Sequence, residues 1–131
     1  MRLAGIFSDG MILQRDSVNR IWGYEDKSDT VSLEFEGRTY EAEVKDGRFD
    51  IELPPVSVRK DVTITIKGST EITIKNVCFG DVFLMSGQSN MELPVYRTVD
   101  ISEDEIKASD YPYIRQYRLV PERDYKSDSD Y

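Results

Sequence analysis

Apolar and polar residues alternate in five stretches between residues 31 and 74. Val31, Leu33 and Phe35 alternate with Ser32, Glu34 and Glu36, and Tyr40, Ala42 and Val44 with Glu41, Glu43 and Lys45. Phe49, Ile51 and Leu53 follow, then Val62, Ile64 and Ile66, then Ile72 and Ile74. A period of two sends one face of each strand to a core and the other to water. Five such runs separated by turn signals predict an antiparallel β-sandwich. Asp46-Gly47 lies between two of them and is a hairpin signal. Glu36-Gly37-Arg38 and Lys67-Gly68-Ser69 are further turns, and Pro54-Pro55 closes a strand.

The pattern changes near Gly80. Val82-Phe83-Leu84-Met85 is a continuous apolar run, which suits a strand buried on both faces of a parallel sheet. A small polar turn, Ser86-Gly87-Gln88-Ser89-Asn90, follows at once. Ser102 with Glu105 three residues on has the form of a capping box and predicts a short helix over 102–108. Residues 113–120 read as another strand, and 121–131 as a frayed charged tail. Strand, turn, helix, strand is the opening of an α/β unit. The expected organisation is therefore mainly β: a sandwich domain over 1–79, then the truncated start of an α/β domain over 80–131.

Composition narrows the chemistry. The 131 residues provide room for one domain, or for a small domain and part of another. Histidine is absent, so no Ser-His or Cys-His pair is completed within the chain and no imidazole metal site forms. The single cysteine, Cys78, makes no intrachain disulfide and reads as a small buried hydrophobe. With 25 acidic and 17 basic residues the formal charge is −8, which disfavours nucleic acid and anionic membranes as partners. No run approaches the roughly 18 apolar residues of a membrane span, and the first residues hold no signal-peptide core. The expected location is the cytoplasm, or outside the cell after removal of a signal.

A serine just past a buried strand stands at the carboxyl edge of a sheet, where α/β enzymes hold their sites. Gly87 would turn the chain there with a positive φ, and the N–H of Ser89 or Asn90 would help to stabilise an oxyanion. The same residues also fit an ordinary turn or helix cap.

Phe7-Ser8-Asp9-Gly10-Met11-Ile12-Leu13-Gln14-Arg15, Trp22-Gly23, Gly47-Arg48-Phe49, Leu53-Pro54-Pro55, Asn76-Val77, Gly80-Asp81-Val82 and Ser86-Gly87-Gln88-Ser89-Asn90-Met91-Glu92 appear in order along the chain. Together with Ile114-Arg115 they resemble the N-terminal part of the sialate O-acetylesterase family, within the SGNH hydrolase superfamily. The resemblance implies a carbohydrate O-acetylesterase. It makes Ser89 both the nucleophile and, through its own N–H, an oxyanion donor, with Gly87, Gln88 and Asn90 as substrate-binding neighbours. It implies no metal or organic cofactor, and an acetylated sugar or glycan as partner of the whole enzyme. The family's Asp-x-x-His and its remaining oxyanion donors lie in later blocks that this chain does not contain. Serine attack needs a base within reach, so the chain by itself is expected to be inactive. The alternative is a β-sandwich that binds glycan or braces a neighbour without chemistry.

Trp22 reads as core rather than a sugar-stacking platform. Tyr111, Tyr113, Tyr117 and Tyr125 read as cover for an interface between domains. Gln14-Arg15 reads as an interdomain brace, and Glu103-Asp104-Glu105 as a solvated helix start. The unfinished α/β opening leaves strand edges that predict a homodimer or soft aggregate.

Overall fold

The computed structural model describes residues 1–87 and 89–118, and the chain divides into two compact units. The first is Met1–Val82, with 116–118 among the described residues; the second is Phe83–Arg115. The first unit holds eight strands: β1 (Arg2–Leu3), β2 (Ile12–Gln14), β3 (Asn19–Tyr24), β4 (Thr30–Phe35), β5 (Arg38–Glu43), β6 (Arg48–Leu53), β7 (Arg59–Lys67) and β8 (Glu71–Gly80). They form a three-stranded sheet, β1-β3-β6, and a five-stranded sheet, β2-β8-β7-β4-β5. The expected mainly β class holds, but one sheet is mixed rather than antiparallel, because β2 runs parallel to β8 with Ile12 opposite Cys78. Among the described residues no helix is long and apolar enough to cross a membrane.

Alternation does what it predicts in β4 and β6, whose buried residues are Val31, Leu33, Phe35 and Phe49, Ile51, Leu53. These pack into one apolar core with Ile21, Ile64, Ile66, Ile74, Val77 and Phe79. Both sheets contribute to it. Phe35 and Phe79 meet within it with ring centroids 5.2 Å apart. Glu36 and Gly37 have φ of 47° and 75°, the left-handed pair that a two-residue hairpin requires, and Phe35 duly pairs with Arg38. Asp46 and Gly47 have the same geometry, at 52° and 74°. Their turn, however, passes the chain from one sheet to the other. Only Lys45 and Arg48 bridge across it.

The inward pattern of β8 shifts by one residue along its length. Ile72 and Ile74 face the core first; after Asn76 it is Val77 and Phe79. Asn76 sits at φ 56°, and the pairing of β7 with β8 changes register between Val62 and Ile64. One extra residue in a bulge accounts for the shift, and asparagine tolerates the left-handed conformation better than most residues.

Glu25 is the buried charged side chain among the described residues of this unit, 1% exposed. Its Oε1 accepts the N–H of Lys27 at 2.8 Å, and its Oε2 accepts the N–H and the hydroxyl of Ser69, both at 2.8 Å. The Ser69 N–H, then that of Lys27, hold the carboxyl down to about 2 from its ordinary 4.5, against the opposing effect of burial. Gly68 makes room for it, since a Cβ there would lie 2.6 Å from Glu25 Oε2. A carboxyl depressed in the fold contributes stability that is complete above its unfolded value and is lost as the pH falls towards its folded one. The urea midpoint is therefore expected to fall between about pH 5 and about pH 2. Glu25→Gln is expected to be less stable near neutrality and to show a shallower acid slope. Equal slopes in the two proteins would contradict the assignment.

The second unit holds α1 (Ser89–Glu92), a 3-10 turn (Val95–Thr98) and α2 (Val99–Lys107). The predicted helix exists but starts at Val99, three residues before Ser102, because it continues directly from the 3-10 turn. The spacing of Ser102 and Glu105 is thus an i, i+3 repeat within the helix, not a cap. Glu103 accepts a hydrogen bond from Lys107 at 2.6 Å, an i, i+4 pair on the exposed surface. Glu103, Asp104 and Glu105 are exposed, as a solvated run should be.

The strands expected over 82–85 and 113–120 are not formed among the described residues, and 119–131 lie outside them. Phe83 is 81% and Leu84 95% exposed. A parallel strand needs neighbours delivered by crossover connections, and no described residue pairs with this run.

Candidate active site

The candidate serine lies downstream of the carboxyl end of β8, and that end is held by the end of β2. The N–H of Arg15 donates to the Gly80 carbonyl at 2.9 Å. Arg15 Nε donates to Asp81 Oδ1 at 2.9 Å, while its Nη1 reaches Asp16 Oδ2 at 2.8 Å. The hydrogen bond and charge of Asp81 raise the guanidinium above its ordinary value. Gln14 Oε1 accepts the N–H of Val82 at 2.9 Å. Gln14 is itself fixed from behind by Asn19, 9% exposed, whose Oδ1 accepts the Gln14 N–H at 3.1 Å and whose Nδ2 donates to the Gln14 carbonyl at 2.8 Å. Three consecutive residues at the end of β8 are thus gripped by two consecutive residues at the end of β2.

In the second unit, Ser89 is exposed and is the first residue of α1, where its carbonyl accepts the N–H of Leu93 at 3.0 Å. A residue at the start of a helix does not spend its own N–H on the helix ladder. Gly87 does not have the expected positive φ. Its requirement is steric: a Cβ there would fall 2.5 Å from Met91 Cγ, so the glycine lets the α1 side chain fold back on the turn. Gln88 lies outside the described residues. Asn90 is in α1, and its side chain lies outside the described ones. Among the described residues no group of three or more His, Cys, Asp or Glu side chains is placed to hold a metal ion.

Cys78 is buried as expected. Trp22 is not in the core. It is half-buried on the face opposite Ile21, edge-on to Phe7 at 4.7 Å, because the strand period that buries Ile21 and Gly23 turns Trp22 outward. There it borders an open depression with Tyr40, Arg48 and Asp50. Tyr111, Tyr113 and Tyr117 are exposed, and Tyr125 lies outside the described residues. Asn19 and Glu25 were not singled out by the sequence. The pattern offers little for either, since a polar residue at a strand end is ordinary until its partners are known.

The chain is similar to the crystal structure of a carbohydrate acetylesterase from Xanthomonas citri, with a TM-score of 0.75 and 27% sequence identity. The match covers 83% of this chain and 26% of that one, so the chain spans about a quarter of the length of the structure it matches. The likeness supports a general relation to carbohydrate esterases. No protein-family model matches the chain, and neither does any curated protein.

Proposed function

We propose that this chain is the N-terminal part of a serine carbohydrate O-acetylesterase of the SGNH type, related to the sialate O-acetylesterases. In this reading the first unit is a β-sandwich accessory domain, and the second begins the hydrolase domain. The likeness to a carbohydrate acetylesterase over 83% of the chain is the observation that carries it. The intact Ser86-Gly87-Gln88-Ser89-Asn90 motif supports it.

The reaction is acyl transfer. Ser89 Oγ attacks the acetyl carbonyl, the Ser89 N–H and further donors stabilise the oxyanion, and the sugar hydroxyl leaves with a proton. Water then releases acetate. The base that takes the Ser89 proton is a histidine supplied from outside these residues, since the chain contains none. In this reading Gly87, Gln88 and Asn90 are substrate-binding neighbours of the nucleophile. No cofactor is required.

Acetate release from a panel of O-acetylated oligosaccharides tests the reading. A longer protein containing this chain is expected to turn over, and the 131-residue chain alone to stay at background. Turnover by the chain alone would remove the assigned base, and silence of the longer protein on every acetylated sugar would remove the reading.

A further inference from the structure

Trp22 is the single tryptophan of the chain, and β3 turns it away from the core. An outward indole is a large apolar surface, here on a mostly charged face. In the register of β3 with β6, Trp22 stands opposite Asp50, Arg20 opposite Glu52 and Tyr24 opposite Arg48. Phe7 meets the indole at 83°, edge-on rather than stacked, so it takes up at most one face of the ring. β6 is an edge strand of the small sheet and β5 an edge strand of the large one. The open depression that these two strands line with Trp22 has a volume of about 870 Å³, within the range of small-ligand sites.

The charges around this depression are matched. Glu41, Glu43, Asp50 and Glu52 border it together with Lys45 and Arg48. Arg20 reaches Asp50 and Glu52 at 3.4 and 3.5 Å, and Lys45 reaches Glu43 at 3.5 Å. The chain carries −8 overall, yet this face is close to neutral and gives neither a cation nor an anion a strong net attraction. Ion pairs so exposed add little to stability. They do hold oxygen and nitrogen atoms around an aromatic surface, and a carboxylate keeps acceptor lone pairs beyond those that one guanidinium uses. A pyranose ring joins an apolar face of C–H groups to a rim of hydroxyls that donate and accept. We propose that the depression around Trp22 is a binding site for a neutral oligosaccharide, with the indole stacked on one pyranose ring. Asp50 and Glu52 accept hydrogen bonds from its hydroxyls, and Arg48 donates to them. The site lies within the first unit, so the inference goes beyond the esterase reading and does not rest on it.

Because the chain has a single tryptophan, one indole N–H resonance reports on the site. The 131-residue chain, labelled with nitrogen-15, is titrated with cellohexaose, xylohexaose, mannohexaose and maltohexaose, and with an anionic oligogalacturonate. At least one neutral sugar is expected to shift the Trp22 indole and the Asp50 and Glu52 amides saturably, with a Kd on the order of 1 mM. The oligogalacturonate is expected to bind at least about tenfold more weakly, since the chain repels anions. Trp22→Ala is expected to weaken binding by about tenfold or more, and Asp50→Ala by about three- to tenfold, both followed by calorimetry. No saturable shift with any of the four neutral sugars would overturn the proposal, and so would a preference for the anionic one. Unchanged affinity in a folded Trp22→Ala variant would overturn it as well. Should Trp22→Ala fail to fold, Asp50→Ala decides, because that side chain is 49% exposed and carries no core; unchanged affinity there overturns the site. Acetate release is measured separately, so either result leaves the esterase reading to its own test.

Discussion

Under the proposed esterase function, Ser89→Ala in a longer protein that contains this chain and releases acetate is expected to lower kcat by about 10⁴-fold or more. The nucleophile is the group whose loss no neighbouring side chain makes good, since Asp and Glu at ordinary carboxylate pKa values are poor bases and poor substitutes. The effect should appear in kcat with little change in KM, because the serine hydroxyl bonds covalently only on the way to the acyl-enzyme. Stability should be unaffected, since Ser89 is exposed. A stopped assay of released acetate, with circular dichroism on the same samples, separates the two quantities. Retained turnover would transfer the nucleophile's role to another residue and end the assignment of Ser89.

Phe79→Ala is expected to destabilise the first unit by about 3–5 kcal/mol. Phe79 is 1% exposed, stacks obliquely on Phe35, and lies on the strand that joins the parallel pair to the antiparallel one. Its removal leaves a cavity between strands held on both sides, which collapse little. Domains of this kind have about 5–15 kcal/mol in all, so the variant should be partly unfolded near 37 °C. Urea titration read by far-ultraviolet circular dichroism measures the loss. Phe79→Leu should recover much of it. A loss under about 1 kcal/mol would mean that the Phe35–Phe79 contact does not lie in a packed core.

Much of the first unit was legible because its cause is local. The alternation of Val31, Leu33 and Phe35 against Ser32 and Glu34 states which face is buried, and Glu36-Gly37 states where the hairpin turns. Sheet membership has no local cause. Asp46-Gly47 has the same turn chemistry as Glu36-Gly37 but leads into the other sheet, because the partner of β6 is β3, far back in the sequence. The parallel pairing of β2 with β8 was hidden for the same reason, and the bulge at Asn76 was a single residue within an otherwise regular run.

The candidate site was legible through its motif and much less through its geometry. The sequence marks Ser89 and the need for glycine at 87. It attributes that glycine to a turn, whereas the crowding of Met91 is responsible. Val82-Phe83-Leu84-Met85 reads as a buried strand because burial is what an apolar run is for, yet it is exposed here, with no described strand beside it. The Gln14-Arg15 pair reads as an interdomain brace, whereas its contacts with Asp81 and Val82 lie within the first unit.

The pairing of β2 with β8 also sets an order of events during synthesis. The β4–β5 and β7–β8 hairpins join strands adjacent in the chain and close on a microsecond scale. Gln14, by contrast, leaves the ribosome 68 residues ahead of the Val82 N–H that it captures. At about 5–20 residues per second, its strand waits several seconds without a neighbour. The grip at the end of β8 is thus among the last contacts of this unit to form. A nascent chain from which β8 has not yet emerged would hold the β4–β5 hairpin and leave β2 without its partner strand.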